Sequence, residues 1–169
     1  MGSYLDNGLI RLDEFFNEDF YKDIFKRLRR NYGERVKLAD RYSYEKLDVM
    51  ELDKIFNDKE FLNFINLISC ENFNNCEINV KKFGVENYTL LHDSTGRKRM
   101  EFLLIFVDKW DDKFGGYIVY TDNEEKSLIF SVKGNSFILI NKKGMKRFVK
   151  YVNHLAGKKN FFLVEGRLE

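Results

Sequence analysis

The stretch YTLLHDSTGRKRMEFLLIFVDKWDDKFGGYIVY, residues 88–120, decides the fold. It alternates short apolar runs with polar segments, among them an acidic turn with Trp110 and a double glycine. Apolar runs of this length between turn residues are typical of β-strands. His92 and Asp93 come at the end of the first predicted strand, where a barrel would present side chains to its cavity. The sequence therefore places a candidate site at this strand end.

The strand pattern continues to the C-terminal end of the chain, because apolar residues recur with a period of two from Cys76 onward. The chain has no proline, so glycine, asparagine and aspartate supply the turns. Short strands with a turn every 8–12 residues or so predict a sandwich or jelly roll. The predicted strands are Glu77–Phe83, Tyr88–His92, Met100–Val107, Tyr117–Thr121, Ser127–Val132, Phe137–Ile140, Arg147–Val152 and Asn160–Gly166.

Helical patterns precede the strands. A first helix is predicted from Asp13, as its N-cap, to about Gly33, because apolar residues recur at every fourth position. A second helical region covers Val49–Cys70 and divides at Asn57, with Asp58 capping its second half. Helices followed by strands predict an α+β fold in which the helices pack on one face of the jelly roll.

Three further features complete the organisation. Leu5–Leu12 is interpreted as an edge strand, and Arg35–Lys46 as mostly irregular. With 169 residues and 44% hydrophobic residues, the chain is long enough for one domain with its own core. The prediction is a single domain over residues 1–169, with the helical part in about 1–72 and the jelly roll in about 76–169.

Charge and cysteine content exclude several classes of protein. The net charge is +2 with 33% charged residues of both signs, which is not typical of a dedicated nucleic-acid binder. Cys70 and Cys76 do not form a zinc motif and are expected to be thiols in a reducing compartment. No apolar stretch is long enough to predict a leader or a membrane span. We therefore expect a cytoplasmic protein.

From residue 78 to 168 the chain resembles the prolyl-4-hydroxylase-like branch of the 2-oxoglutarate/Fe(II)-dependent dioxygenases. The landmarks occur in the family's order: a strand ending in His92-Asp93, a basic loop and apolar strand at 97–107, a tryptophan-to-double-glycine turn at 110–116, and Asn135-Ser136 before another strand. The resemblance implies a double-stranded β-helix, a cupin-like jelly roll, with helices before it. It also implies Fe(II) and 2-oxoglutarate as cofactors of any hydroxylation.

The resemblance also locates the expected site residues. His92 falls on the first iron-binding histidine, and Ser94 falls where the family has a carboxylate. Arg147 falls on the distal histidine, although a guanidinium stays protonated and cannot bind a metal. Lys159 falls near the basic residue that binds the 2-oxoglutarate carboxylate. Two of the three iron ligands are therefore replaced, while the family's chemistry needs two histidines and a carboxylate.

Two hypotheses follow. In the first, the chain is a pseudoenzyme without a cofactor, which binds a small anionic ligand through His92, Ser94, Arg147 and Lys159, or binds a protein or peptide partner. Arg147 could instead pair with Asp93 or Glu101 and fill the former cavity. In the second, it is an active dioxygenase that acts on a peptide or small metabolite, with Fe(II) held by His92, Asp93 and His154. Neither hypothesis involves nucleic acid or a membrane, and the oligomeric state stays open.

Overall fold

Two β-sheets face each other, and helices cover the outer face of the larger sheet. The computed structural model describes residues 8–38, 41–90, 100–122, 127–142 and 144–169. Within these ranges, no helix is long and apolar enough to cross a membrane. The elements are β1 Leu9–Asp13, α1 Glu18–Arg30, β2 Glu34–Leu38, β3 Tyr42–Leu47, α2 Met50–Phe56, α3 Lys59–Ser69, β4 Cys76–Phe83, β5 Tyr88–Thr89, β6 Met100–Phe106, β7 Ile118–Thr121, β8 Ser127–Phe130, β9 Ser136–Asn141, β10 Lys146–Val149 and β11 Phe161–Leu168, with 3-10 turns at Asp112–Phe114 and His154–Ala156.

The strands form an antiparallel jelly-roll arrangement. The larger sheet has the order β1-β9-β6-β11-β4-β3-β2, with β5 also paired to β3. The smaller sheet has the order β10-β7-β8. Strands that are distant in sequence lie side by side. For example, β11 pairs with β4 on one side and with β6 on the other. The sheet therefore brings residues from the middle and the end of the chain into one interior.

Strand β6 shows why the larger sheet is buried on both faces. Phe102, Leu104 and Phe106 pack in the core under the helices. Leu103 and Ile105 alternate with them and pack in the core between the two sheets. Strand β6 is an almost continuous apolar run, and all 7 of its residues are buried. The predicted helices on one face of the roll are thus observed.

Helix α1 begins later than the sequence analysis predicted. Asn17 is its N-cap, and the Asn17 side-chain oxygen accepts the Phe20 N–H at 2.9 Å. The predicted cap, Asp13, is instead the last residue of β1. Its carboxylate lies 2.8 Å from the Lys133 ammonium and accepts the Ser136 hydroxyl at 2.9 Å. The N-cap prediction was wrong because the Asp13 carboxylate is used between strands.

The prediction of an irregular segment at Arg35–Lys46 was also wrong. Strands β2 and β3 form a hairpin there, with Val36 opposite Tyr44. Strand β2 is mostly exposed, so it lacks the apolar alternation by which a strand is recognised. The division of the second helical region is confirmed, since the Asp58 carboxylate accepts the Glu60 N–H at 2.8 Å and caps α3.

Candidate functional site between the two sheets

Charged side chains from several strands meet in the space between the two sheets. Those that belong to a strand lie on the same face of it as residues of the core between the sheets, and Lys142 directly follows β9. Glu101 is two residues from Leu103, and Glu165 is two residues from Leu163, so each pair shares a face and both carboxylates point toward the smaller sheet. We call this group the interior cluster; its members are Lys81, Glu101, Tyr120, Lys142, Arg147 and Glu165.

Arg147 joins the two carboxylates of the interior cluster. Its Nη1 lies 3.1 Å from Glu101 Oε1, and its Nη2 lies 2.8 Å from Glu165 Oε1. The side chains of Arg147, Glu101 and Glu165 are 7%, 3% and 2% exposed respectively, so the bridge is shielded from water. A guanidinium carries several N–H donors in one plane, which suits it to hold two carboxylates at once.

Two lysines and a tyrosine complete the interior cluster. Lys81 Nζ lies 2.9 Å from Glu165 Oε1 and 3.0 Å from Oε2. Lys142 Nζ lies 3.0 Å from Glu101 Oε2. The Tyr120 hydroxyl donates to Glu101 Oε1. Three cations therefore surround two carboxylates, and all four carboxylate oxygens already accept from a cation.

The pKa values follow from burial set against these ion pairs. Burial raises the pKa of Glu165, but Arg147 and Lys81 outweigh it and lower that pKa to about 2. Burial likewise opposes ionisation of Glu101, yet Arg147 and Lys142 keep its pKa below the usual value. Burial lowers the pKa of Lys81, although Glu165 opposes this shift. At neutral pH both carboxylates are charged, which is the state that holds the cluster together.

The predicted site residues that the structure describes lie in different parts of the molecule. Arg147 lies in the interior and pairs with Glu101, one of the two partners that the sequence analysis offered. Lys159 is exposed, with its ammonium 5.3 Å from the centre of the Phe114 ring. His154 is exposed and is the first residue of the second 3-10 turn. These two side chains share no described contact with Arg147.

The remaining predicted residues, His92, Asp93 and Ser94, lie outside the described residues. Sequence reasoning missed Lys81, Tyr120, Lys142 and Glu165 as members of the interior cluster. For Glu165 a signal existed, because a single carboxylate interrupts the apolar strand FFLVEGRL. Lys81 stands in a mixed run, KKF, that gave no such signal.

The comparisons with known proteins agree with this fold. The sequence profile of the family described as oxoglutarate and iron-dependent oxygenase degradation C-terminal matches residues 34–169, which is most of the chain. The chain belongs to this family. The match confirms the resemblance to 2-oxoglutarate/Fe(II)-dependent dioxygenases. No curated protein matches the chain.

Solved structures of oxygenases have the same fold. A prolyl-4-hydroxylase from Pseudomonas putida has a TM-score of 0.73 at 11% identity, over 98% of this chain and 95% of its own. A 2OG-Fe(II) oxygenase family oxidoreductase from Burkholderia pseudomallei has a TM-score of 0.74 at 11% identity, over 98% and 88%. A Trichoplax adhaerens prolyl hydroxylase, solved with a hypoxia inducible factor peptide fragment, has a TM-score of 0.66 at 12% identity, over 98% and 85%. These likenesses confirm the double-stranded β-helix.

The family description implies iron and oxoglutarate, and the interior cluster can be tested for its fit to a metal. Among the residues that the structure describes, no group of three or more His, Cys, Asp or Glu side chains is arranged to hold a metal ion. The oxygens of Glu101 and Glu165 are occupied by cations, and Arg147 has no lone pair to offer a metal. The described interior therefore does not fit iron.

Proposed function

We propose that this chain is a prolyl-hydroxylase-type 2-oxoglutarate/Fe(II) dioxygenase-like domain that works without metal chemistry, as a pseudoenzyme that binds a ligand or a partner. The single observation that carries the proposal is the Arg147 guanidinium between Glu101 and Glu165. Arg147 falls where the resemblance expects the distal histidine. A protonated guanidinium there would repel a divalent cation instead of binding it.

The charge balance of the interior cluster supports an anionic ligand. Among the described residues, three cations face two carboxylates, so this part of the structure carries one excess positive charge in a largely buried place. A buried charge is expensive unless an opposite charge lies close to it. A carboxylate or phosphate of a small ligand, or an acidic side chain of a peptide partner, would supply that charge. In this proposal Arg147 attracts the anion, and His92 and Ser94 offer hydrogen bonds. Lys159, which is exposed beside Phe114 and shares no described contact with Arg147, would attract an anion only at the surface.

The proposal extends to location and cofactors. Cys70 is an exposed thiol, and no disulfide joins it to Cys76. This is the state expected in a reducing compartment, and we propose the cytoplasm. We propose that neither Fe(II) nor 2-oxoglutarate is required. Nucleic acid and membranes are not among the proposed partners.

The alternative is an active dioxygenase with Fe(II) held by His92, Asp93 and His154. The family description, which names an iron-dependent oxygenase, favours it. The exposed position of His154 does not, because a ligand on the surface would leave the metal open to water. The substrate in this alternative would be a peptide or a small metabolite.

One experiment separates the two functions. The protein is titrated anaerobically with Fe(II), and its conversion of 2-oxoglutarate to succinate is then measured in air. We expect no stoichiometric iron uptake, no succinate above the protein-free control, and no change of melting temperature on adding both cofactors. Iron bound one-to-one by the wild type but not by His92→Ala, together with succinate formation, would overturn the proposal.

A further inference from the structure

Strand β8 is an edge of the smaller sheet that carries no charge. It pairs with β7 on one side and ends the sheet order on the other. Its sequence is SLIF, and within the described part of the chain no backbone hydrogen bond other than its pairing to β7 involves it. Ile129 in its middle is 65% exposed. An uncharged edge strand with an exposed apolar residue is a ready surface for pairing with another strand.

The other strands that end the two sheets are protected by charge. Strand β2 has the sequence ERVKL, β1 has LIRLD, and β10 has KRFV. An antiparallel pair of two β2 strands would place cations opposite each other in every register centred on Arg35, Val36 or Lys37. Charged residues on edge strands are a common protection against unwanted pairing. Among the strands that end the two sheet orders, β8 is the exception.

The outer face of the smaller sheet extends the apolar surface of β8. Phe148 of β10 lies opposite Val119 of β7, and Val119 lies opposite Ile129 of β8. These three side chains form a row across the sheet, which ends at the exposed edge. Val119 in the middle is 8% exposed, and Phe148 is half-buried, so Ile129 is the part of the row that is most open to water.

We propose that β8 pairs antiparallel with β8 of a second copy of this chain, about a twofold axis at Ile129. Residues opposite each other in an antiparallel pair lie on the same face, so Ile129 meets its own copy, and Leu128 meets Phe130 of the partner subunit. No charge opposes a like charge in this register. The two smaller sheets become one continuous sheet, and the apolar row runs across both copies.

The size of the contact sets its strength. Four residues on each side bury much less than the roughly 1,200–2,000 Å² of a stable complex, so we expect a weak, reversible dimer that forms only at high protein concentration. This inference does not rest on the proposed function, because the outer face of the smaller sheet lies on the opposite side from the interior cluster.

Sedimentation velocity of the full chain over a wide concentration range tests the dimer. We expect the average mass to rise from 20.3 kDa toward twice that value. Ile129→Lys sets two ammonium groups opposite each other and should weaken association about tenfold or more. Leu67→Lys is the matched control, since Leu67 is 68% exposed on α3, and it should leave association unchanged.

Mixing two charge variants tests the register. Ile129→Lys and Ile129→Glu should each associate about tenfold or more less tightly than the wild type, and their equimolar mixture should associate more tightly than either variant alone, because residue 129 of one copy meets residue 129 of the other. The proposal is overturned if the wild type stays monomeric at millimolar concentration, if Leu67→Lys disrupts association as strongly, or if the mixture associates no more tightly than the variants alone. Binding of a foreign peptide to β8 by a monomeric wild type would equally overturn it.

Discussion

Replacing Glu165 with glutamine removes one carboxylate from the interior cluster and keeps the size of the side chain. The Glu165 side chain is 2% exposed and pairs with both Arg147 and Lys81. The change leaves the buried cations Arg147 and Lys142 and the largely buried Lys81 with Glu101 as their only carboxylate among the described residues. Breaking a buried ion pair from one side costs about 3–5 kcal/mol, because it leaves a buried charge without compensation. We expect Glu165→Gln to lower the free energy of unfolding by about 3–5 kcal/mol.

Arg147→Met perturbs the same cluster in the opposite sense. It removes a cation and leaves Glu101 with Lys142 and Glu165 with Lys81, so the remaining charges balance. The cost should therefore be smaller, about 1–3 kcal/mol, mainly from the lost hydrogen bonds to the carboxylates. The order of the two variants is a direct consequence of the excess positive charge in the interior cluster.

Urea denaturation measures both costs. With a slope of about 2 kcal/mol per molar urea, Glu165→Gln should lower the midpoint by about 1.5–2.5 M. Glu51→Gln is the control, because Glu51 pairs with Arg27 on the surface and solvent screens the pair. The reasoning is refuted if Glu165→Gln moves the midpoint no further than Glu51→Gln, or if Arg147→Met is the more destabilising of the two.

Three further predictions concern stability. The pKa of Glu165 is about 2 in the folded protein, against an ordinary value of 4.5. The ionised Glu165 carboxylate therefore stabilises the fold fully above pH 4.5, and this contribution is lost as the pH falls toward 2. The urea curves of the wild type and Glu165→Gln should converge between those two pH values. Gly166→Ala should cost about 1–3 kcal/mol by calorimetry, because a Cβ there would overlap the Phe102 ring; an unchanged melting temperature would contradict this. Asn17→Ala should cost about 1 kcal/mol in urea by removing the cap on the Phe20 N–H, and Asn17→Asp should restore most of it.

Much of the fold could be predicted because the pattern of each strand reflects local burial. The change of apolar period at Cys76 marks where the continuous run of jelly-roll strands begins, and the double glycine marks a turn that is observed. Strand β2 could not be predicted, because an exposed strand has no apolar face to reveal its period. The choice between Asp13 and Asn17 as N-cap depended on the contact of Asp13 with Ser136, which is 123 residues away.

The candidate site was predictable only in part, because its ion pairs join strands that are distant in the sequence. The resemblance placed Arg147 at the position of an iron-binding histidine, and Glu101 was one of the two partners suggested for it. The role of Glu165 depends on β11 lying beside β6, which only the tertiary register decides. Lys81 reaches the interior because β4 lies on the other side of β11. Ion pairs between distant strands leave no spacing in the sequence from which to infer them.

Iron content after anaerobic loading tests the central claim most directly. The full chain is incubated with Fe(II) and 2-oxoglutarate, freed of unbound metal, and assayed for iron beside His92→Ala and Arg147→Met. The interior cluster predicts far less than one iron per chain in the wild type and the same background level in both variants. One iron per wild-type chain, lost in His92→Ala, would show that a metal site containing His92 exists and would contradict the account.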